Sequence, residues 1–261
     1  MKEMIQELIQ YRELLFAFTV RNIKIKYKQT VMGFLWAIFM PIVIVLSGII
    51  IKQAMSIFSG KPLELNQIVS VSVKALPWAF FVGALKFSVS SLIADMSLIN
   101  KIYFPREIFP LSYTIGQMFD FAIATIFFAV FFAFANIGVD IYFLWLPLML
   151  LLLFLFTAGM GLILSCGNLF FRDVKYIVDV FLTFGIFFTP VFYDAHMFGK
   201  WEVVLLLNPM GAILENINRV VVLHQPPDLV WLAYAGVWGV FGFFGSWYIF
   251  HKLEPYFAEN I

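Results

Sequence analysis

Asn100-Lys101-Ile102-Tyr103-Phe104-Pro105-Arg106-Glu107-Ile108-Phe109-Pro110 separates two long apolar stretches, and its reading decides the fold. Pro105 and Pro110 fix backbone φ and lack a donor, so they punctuate the helices on either side. Lys101, Arg106 and Glu107 hold the segment out of lipid, while Tyr103, Phe104 and Phe109 give it an apolar face. A loop that only reversed direction would not need rings beside charges. The segment reads as a stiff elbow between membrane helices, shaped to be gripped by another protein.

Composition agrees with a membrane setting. Of 261 residues, 62% are hydrophobic and only 13% charged, against about 45–50% and about 25% in ordinary soluble domains. A mean hydropathy of +0.93 leaves lipid as the solvent for much of the surface. A net charge of +1 gives no reason to expect nucleic acid. The single cysteine, Cys166, excludes an internal disulfide and a cysteine zinc cluster. His196, His224 and His251 are scattered without ligand spacing, so neither a metal nor a cofactor is expected. The first residues are too charged for a secretory signal, and the N-terminus reads as mature and retained.

Runs of about 20 apolar residues can cross a bilayer. They predict an all-α polytopic protein, a single transmembrane domain over 1–261. Its spans lie at about 30–51, 75–94, 110–135, 142–167, 176–192 and 229–250, the first kinked at Pro41. The elbow occupies 96–109 and an outer loop 193–228. Cations set the orientation. With both termini cytoplasmic, Lys2, Arg12, Arg21, Lys24, Lys26, Lys28, Lys101, Arg106, Arg172, Lys175 and Lys252 fall inside. Lys52, Lys61, Lys74, Lys200 and Arg219 fall outside, and Lys86 lies within a span.

Residues 1–28 form a basic tail with helical periodicity, Ile5, Leu8, Ile9, Leu15 and Phe16 alternating with polar positions. This reads as an amphipathic helix lying in the membrane interface. Arg21, Lys24 and Lys28 form a stripe able to meet lipid phosphates, and a part in gating a lipid-facing entrance is the other reading. In the outer loop, Asn208-Pro209 predicts an N-cap followed by proline at the first helical position. Pro226-Pro227 end that helix, Lys200–Leu207 forms a second short segment, and Glu215 and Arg219 are spaced to pair.

No GxxxxGK[ST] is present, so ATP used by this system would be hydrolysed by another chain. Phe170-Phe171-Arg172-Asp173 repeats the aromatic-x-Arg-acid pattern of the elbow. Phe171, Arg172 and Asp173 read as a second cytoplasmic elbow or as a membrane-exit anchor. Among 33 phenylalanines, Phe121 and Phe128 recur seven apart, and Phe181, Phe184 and Phe188 share a face. Rings so arranged could line a path for a sugar chain, or they could face lipid and neighbouring helices. Lys86, costly within a span, would meet either Asp120 across helices or an anionic lipid pyrophosphate in transit. Gly236, Gly239, Gly242 and Gly245 let the last span approach a neighbour closely.

The elbow resembles the cytoplasmic coupling helix in membrane subunits of ABC-type polysaccharide exporters, the O-antigen, capsule and teichoic-acid permeases. Tyr11-Arg12-Glu13-Leu14, then Arg21 through Lys28-Gln29-Thr30 with Gly33, Trp36 and Pro41, is similar to that family's entry into its first span. Phe170–Val174, Thr189-Pro190-Val191-Phe192-Tyr193, Leu207–Met210 and Phe257–Ile261 resemble its later stretches. Met32 stands where a leucine is expected, and Lys86 is an unusual cation. The resemblance implies a homodimeric permease in the bacterial inner membrane, each copy docked on one cytoplasmic ATPase and passing a lipid-linked polysaccharide outward. Tyr103 and Phe104 would be anchors in an ATPase groove, Pro105 would stiffen the elbow, and Lys101, Arg106 and Glu107 would be rim contacts. Two rivals are a membrane-embedded lipid or glycan enzyme and an exporter of small lipids or drugs. Asp120, Asp179, His196 and His224 are too dispersed to form an acid/base pair.

Overall fold

The computed structural model describes residues 2–28, 30–60, 62–96, 104–134 and 138–259, and contains no strand among them. Two short helices open the chain, α1 (Lys2–Gln10) and α2 (Arg12–Tyr27), where the sequence suggested one continuous tail helix. Long helices follow: α3 (Leu35–Ser59), α4 (Leu65–Ala94), α5 (Ile108–Phe134) and α6 (Leu146–Phe170). After α7 (Asp173–Phe188) come the short α8 (Glu202–Leu206) and α9 (Pro209–Val221), and then α10 (Leu229–Leu253).

Among the described residues, five segments are long and apolar enough to cross a membrane: Leu35–Phe58, Leu65–Ala94, Ile108–Phe134, Ile141–Phe170 and Leu229–Phe257. The protein is a multi-pass membrane protein. The expected span at 176–192 becomes α7, whose 16 residues rise only about 24 Å against a hydrocarbon core of about 30 Å. Its end has a local cause. Thr189 precedes Pro190 and is extended (φ −110°, ψ 137°), since the proline ring disfavours helix at the residue before it.

The first span also sits later than expected. Residues 30–34 form turns, with Gly33 at φ 51°, and α3 continues past Lys52 until Gly60 closes it in the left-handed region at φ 67°. α4 begins ten residues before the expected 75, because Lys74 and its polar neighbours lower the local hydropathy without breaking the helix. It is the central helix, buried along most of its length against α3, α5, α6 and α9. Three of its buried serines bond to backbone carbonyls: Ser72 Oγ donates to Ile68 O at 3.0 Å and Ser91 Oγ to Ser88 O at 2.7 Å within the helix, and Ser88 Oγ to Pro110 O on α5 at 3.1 Å.

α6 and α10 pack against each other, and glycine makes the close approach possible. A Cβ on Gly159 would lie 2.9 Å from Phe243 Cα, and one on Gly239 would lie 3.2 Å from Leu152 O. Only part of the expected small-residue stripe serves this seam, since Gly242 and Gly245 have open space where a Cβ would stand. Asp228 caps α10 by accepting from Val230 N (3.0 Å) and Trp231 N (3.4 Å), and Asn208 caps α9 by accepting from Met210 N at 3.1 Å.

Candidate functional site

The described part of the elbow, residues 104–107, leads directly into α5. Lys101 and Tyr103 lie outside the described residues. Phe104 is 5% exposed, and its ring sits 5.9 Å from Phe18 on α2 and 5.3 Å from Phe109. This corrects its expected role as an outward anchor. With an apolar cluster of Phe18, Leu92, Phe109 and Leu169 beside it, the ring is better placed inside its own chain. Pro105 is buried as well.

Arg106 and Glu107 are likewise not free rim charges. Arg106 N donates to Glu254 Oε1 (3.2 Å), its Nη1 donates to Glu254 O (2.8 Å), and its guanidinium lies 5.7 Å from the Phe257 ring centre. Glu107 is 1% exposed and accepts from Trp247 Nε1 on α10 at 3.1 Å. Burial pushes its carboxyl above the ordinary range, against the opposing hydrogen bonds and the nearby His251. Phe257 itself is fully buried between Phe170 and Phe250, at 5.8 and 5.4 Å. The elbow is therefore clamped to the end of α10 and the turn Glu254–Glu259.

α2 is attached to the end of α4 and to α5 by a polar rail. Arg21 pairs with Asp95 at 2.7 Å, and Asn22 Nδ2 donates to Ser112 Oγ at 3.0 Å. Lys26 pairs with Asp120 and donates to Gln117 Oε1 at 3.2 Å, while Tyr27 also donates to Asp120. Burial first, and then the Asp120 carboxylate, raise the Tyr27 phenol above its usual range. Two expectations change. Lys24 and Lys28 are exposed, but Arg21 turns inward to Asp95, so the three do not form one outward stripe. Asp120 is answered from α2, and Lys86 is exposed without an ion pair among the described residues.

At the other end of α4 lies a cluster that the sequence did not disclose. Lys74 is 0% exposed, and its Nζ donates to Asp194 Oδ1 (2.7 Å) and Tyr193 O (2.6 Å), with Glu215 Oε1 at 3.5 Å. Lys52 Nζ reaches Asp194 Oδ2 at 3.0 Å, Ser70 Oγ reaches Oδ1 at 3.1 Å, and Ala195 N donates to Glu215 at 2.8 Å. Burial alone would raise the Asp194 carboxyl, but Lys74 and Lys52 outweigh it and hold the group well below the usual range. Glu215 is thus committed to Lys74, and the expected pairing with Arg219 is absent; Arg219 Nε instead donates to Pro226 O at 3.4 Å. From Lys74 to Ala94 is about 30 Å along α4, so this cluster and the elbow occupy opposite ends of the bundle.

The aromatic candidates divide. Phe128 is buried among core residues, and Phe121 packs on Phe80 at 5.6 Å. Phe181, Phe184 and Phe188 are exposed on α7, at 78%, 57% and 73%. Phe171, Arg172 and Asp173 are exposed at the α6–α7 turn.

A family model described as ABC-2 type transporter matches residues 13–220. Among curated relatives, an O-antigen export system permease protein RfbA of Klebsiella pneumoniae is 26% identical over 205 residues, 77% of each chain. A protein of the same name from Myxococcus xanthus is 25% identical over 269 aligned residues, covering 100% of both. A further RfbA from Klebsiella pneumoniae is 27% identical over 251 residues, 95% of this chain and 94% of its own.

Proposed function

We propose, from the premise that this chain belongs to the ABC-2 type transporter family, that it is the permease subunit of an ATP-driven exporter of a lipid-linked, O-antigen-like polysaccharide. Relatives named as O-antigen export permeases align along nearly its whole length, and that observation carries the substrate class. ATP is hydrolysed by a separate cytoplasmic subunit, one bound to each permease, and the elbow receives its motion.

The clamp gives this transmission a physical route. Phe104 is seated on α2 and α5, and Arg106 and Glu107 are held by α10 and its terminal turn. A displacement of the elbow therefore moves three helices together. The ATPase needs only to bind two arrangements of the permease unequally in order to shift their populations. In this reading Lys101 and Tyr103 contact the ATPase, while Phe104, Arg106 and Glu107 position the elbow.

A sixth crossing at α7 is supported by where its ends lead. Phe170 packs on Phe257 at the elbow end, and Asp194 pairs with Lys74 at the other. The chain between them covers the distance spanned by the long helices, which returns both termini to the cytoplasmic side. The cavities beside α2 and α9, about 30 and about 80 Å³, are far below the roughly 300 Å³ of an ordinary ligand pocket. A glycan would pass between two copies, with the exposed rings of α7 on or near that interface and Lys86 open to an anionic lipid headgroup. The outward Lys24 and Lys28 suit lipid phosphates.

Coexpression with the partner ATPase tests the assignment. The pair should co-purify, and lipid-linked glycan should stimulate its ATP hydrolysis in proteoliposomes. Arg106→Ala should leave ATP hydrolysis in place while lowering glycan export. Glycan export by the permease without an ATPase, or full export by Arg106→Ala, would overturn this reading.

A further inference from the structure

We infer that Glu107, His251 and Glu254 form a binding site for a divalent transition-metal ion, zinc foremost, fastening the elbow to the end of α10. Glu107 comes from the elbow, His251 and Glu254 stand three residues apart at the end of α10, and one ligand atom from each lies within 4.8 Å of the other two. His251 Nδ1 stands 3.4 Å from Glu254 Oε2. That is long for a hydrogen bond, but close to the edge of a tetrahedron with metal bonds of about 2.0–2.1 Å, which is about 3.3 Å.

The remaining valences point the same way. Glu107 Oε1 is occupied by Trp247 Nε1, and its Oε2 is buried with no donor among the described residues. Glu254 Oε1 is occupied by Arg106 N, which leaves Oε2 beside the imidazole. A fully buried carboxylate oxygen without a donor is a rare and unfavourable thing to retain, and a cation would satisfy it. Glu7 adds further negative potential at Glu107, whereas the Arg106 guanidinium is turned to Glu254 O and the Phe257 ring.

Donor chemistry selects the metal class. Magnesium and calcium favour six or more oxygens, while two carboxylates and one imidazole suit zinc or a neighbouring first-row ion with one position left for water. Trp247 and Arg106 N would act as supports that orient the two carboxylates. His251 is partly exposed and provides a route of entry.

The test uses the full chain, purified in detergent through a tag without histidines, stripped with chelator and titrated with Zn²⁺ by calorimetry. Metal content is then measured after desalting. The expected result is one zinc per wild-type chain and a rise in Tm with zinc. His251→Ala should bind zinc more than about 100-fold more weakly, beyond the 10–100-fold typical of a lost supporting contact. Glu107→Gln should do the same, Trp247→Phe should fall within that 10–100-fold range, and His196→Ala should bind as wild type. Because His251 is exposed, its variant carries the test even if Glu107→Gln misfolds. No zinc retained by wild type, with a shared proton filling the gap between the carboxyls instead, would overturn the site. Equal zinc binding by wild type and His251→Ala would overturn it as well. Neither outcome bears on whether the chain exports glycan.

Discussion

Asp194→Asn removes one charge from the cluster at the far end of α4 while preserving side-chain shape. In the wild type two buried ammonium groups face two carboxylates, and Lys74 and Lys52 are 0% and 3% exposed. The variant leaves one excess buried positive charge and weakens contacts of 2.7, 3.0 and 3.1 Å. Removing one partner of a buried pair costs about 3–5 kcal/mol. Glu215, 3.5 Å from Lys74, keeps part of the compensation, which places the loss near the lower end, about 3 kcal/mol. At about 2–4 °C per kcal/mol for chains of this size class, Tm should fall by about 6–12 °C. Scanning fluorimetry of the detergent-purified protein measures this directly. The double variant Lys52→Met/Asp194→Asn leaves Lys74 and Glu215 as a balanced pair, so it should be more stable than Asp194→Asn alone. A single-variant shift under about 2 °C, or a double variant less stable than the single, would refute the reasoning.

The same carboxylate sets an acid limit. Its folded pKa lies below the unfolded value, so its stabilising contribution is complete above the ordinary carboxylate range and is lost only as pH falls through the depressed value. The Tm difference between wild type and Asp194→Asn should thus stay constant from pH 7 to pH 5, and should narrow only below about pH 4; narrowing already at pH 6 would contradict this. Phe104→Ala should cost about 3–5 kcal/mol, as buried phenylalanine truncations do, and should speed tryptic cleavage at Arg106. Phe171→Ala, at an exposed ring, should change stability by no more than about 0.5 kcal/mol in either direction. Gly159→Ala should cost about 1–3 kcal/mol, because its methyl meets the Phe243 backbone at 2.9 Å, whereas Gly242→Ala should be neutral in the same thermal assay.

Local signals in this chain were legible, and matches between distant residues were not. Apolar runs located the long helices, and Asn208-Pro209 marked the start of α9, because hydropathy and capping act within a few residues. Helix ends depended on finer features: Gly60 stops α3 by taking φ 67°, while Lys52, which looks like a boundary, is inside the helix and neutralised by Asp194, 142 residues away. Lys86 and Asp120 illustrate the same difficulty. Each is a charge that the membrane setting obliges to find an answer, and they are the natural pair by hydropathy alone. Yet α2 brings Lys26 and Tyr27 to Asp120 first, leaving Lys86 on the surface. The inward turn of Phe104 has a related cause. Rings beside charges mark a segment with two faces, but which face turns inward depends on Phe18 and Trp247, one far upstream and the other far downstream. Sequence shows which charges and rings require partners; only the packing of helices decides whether the partner lies in this chain or in another.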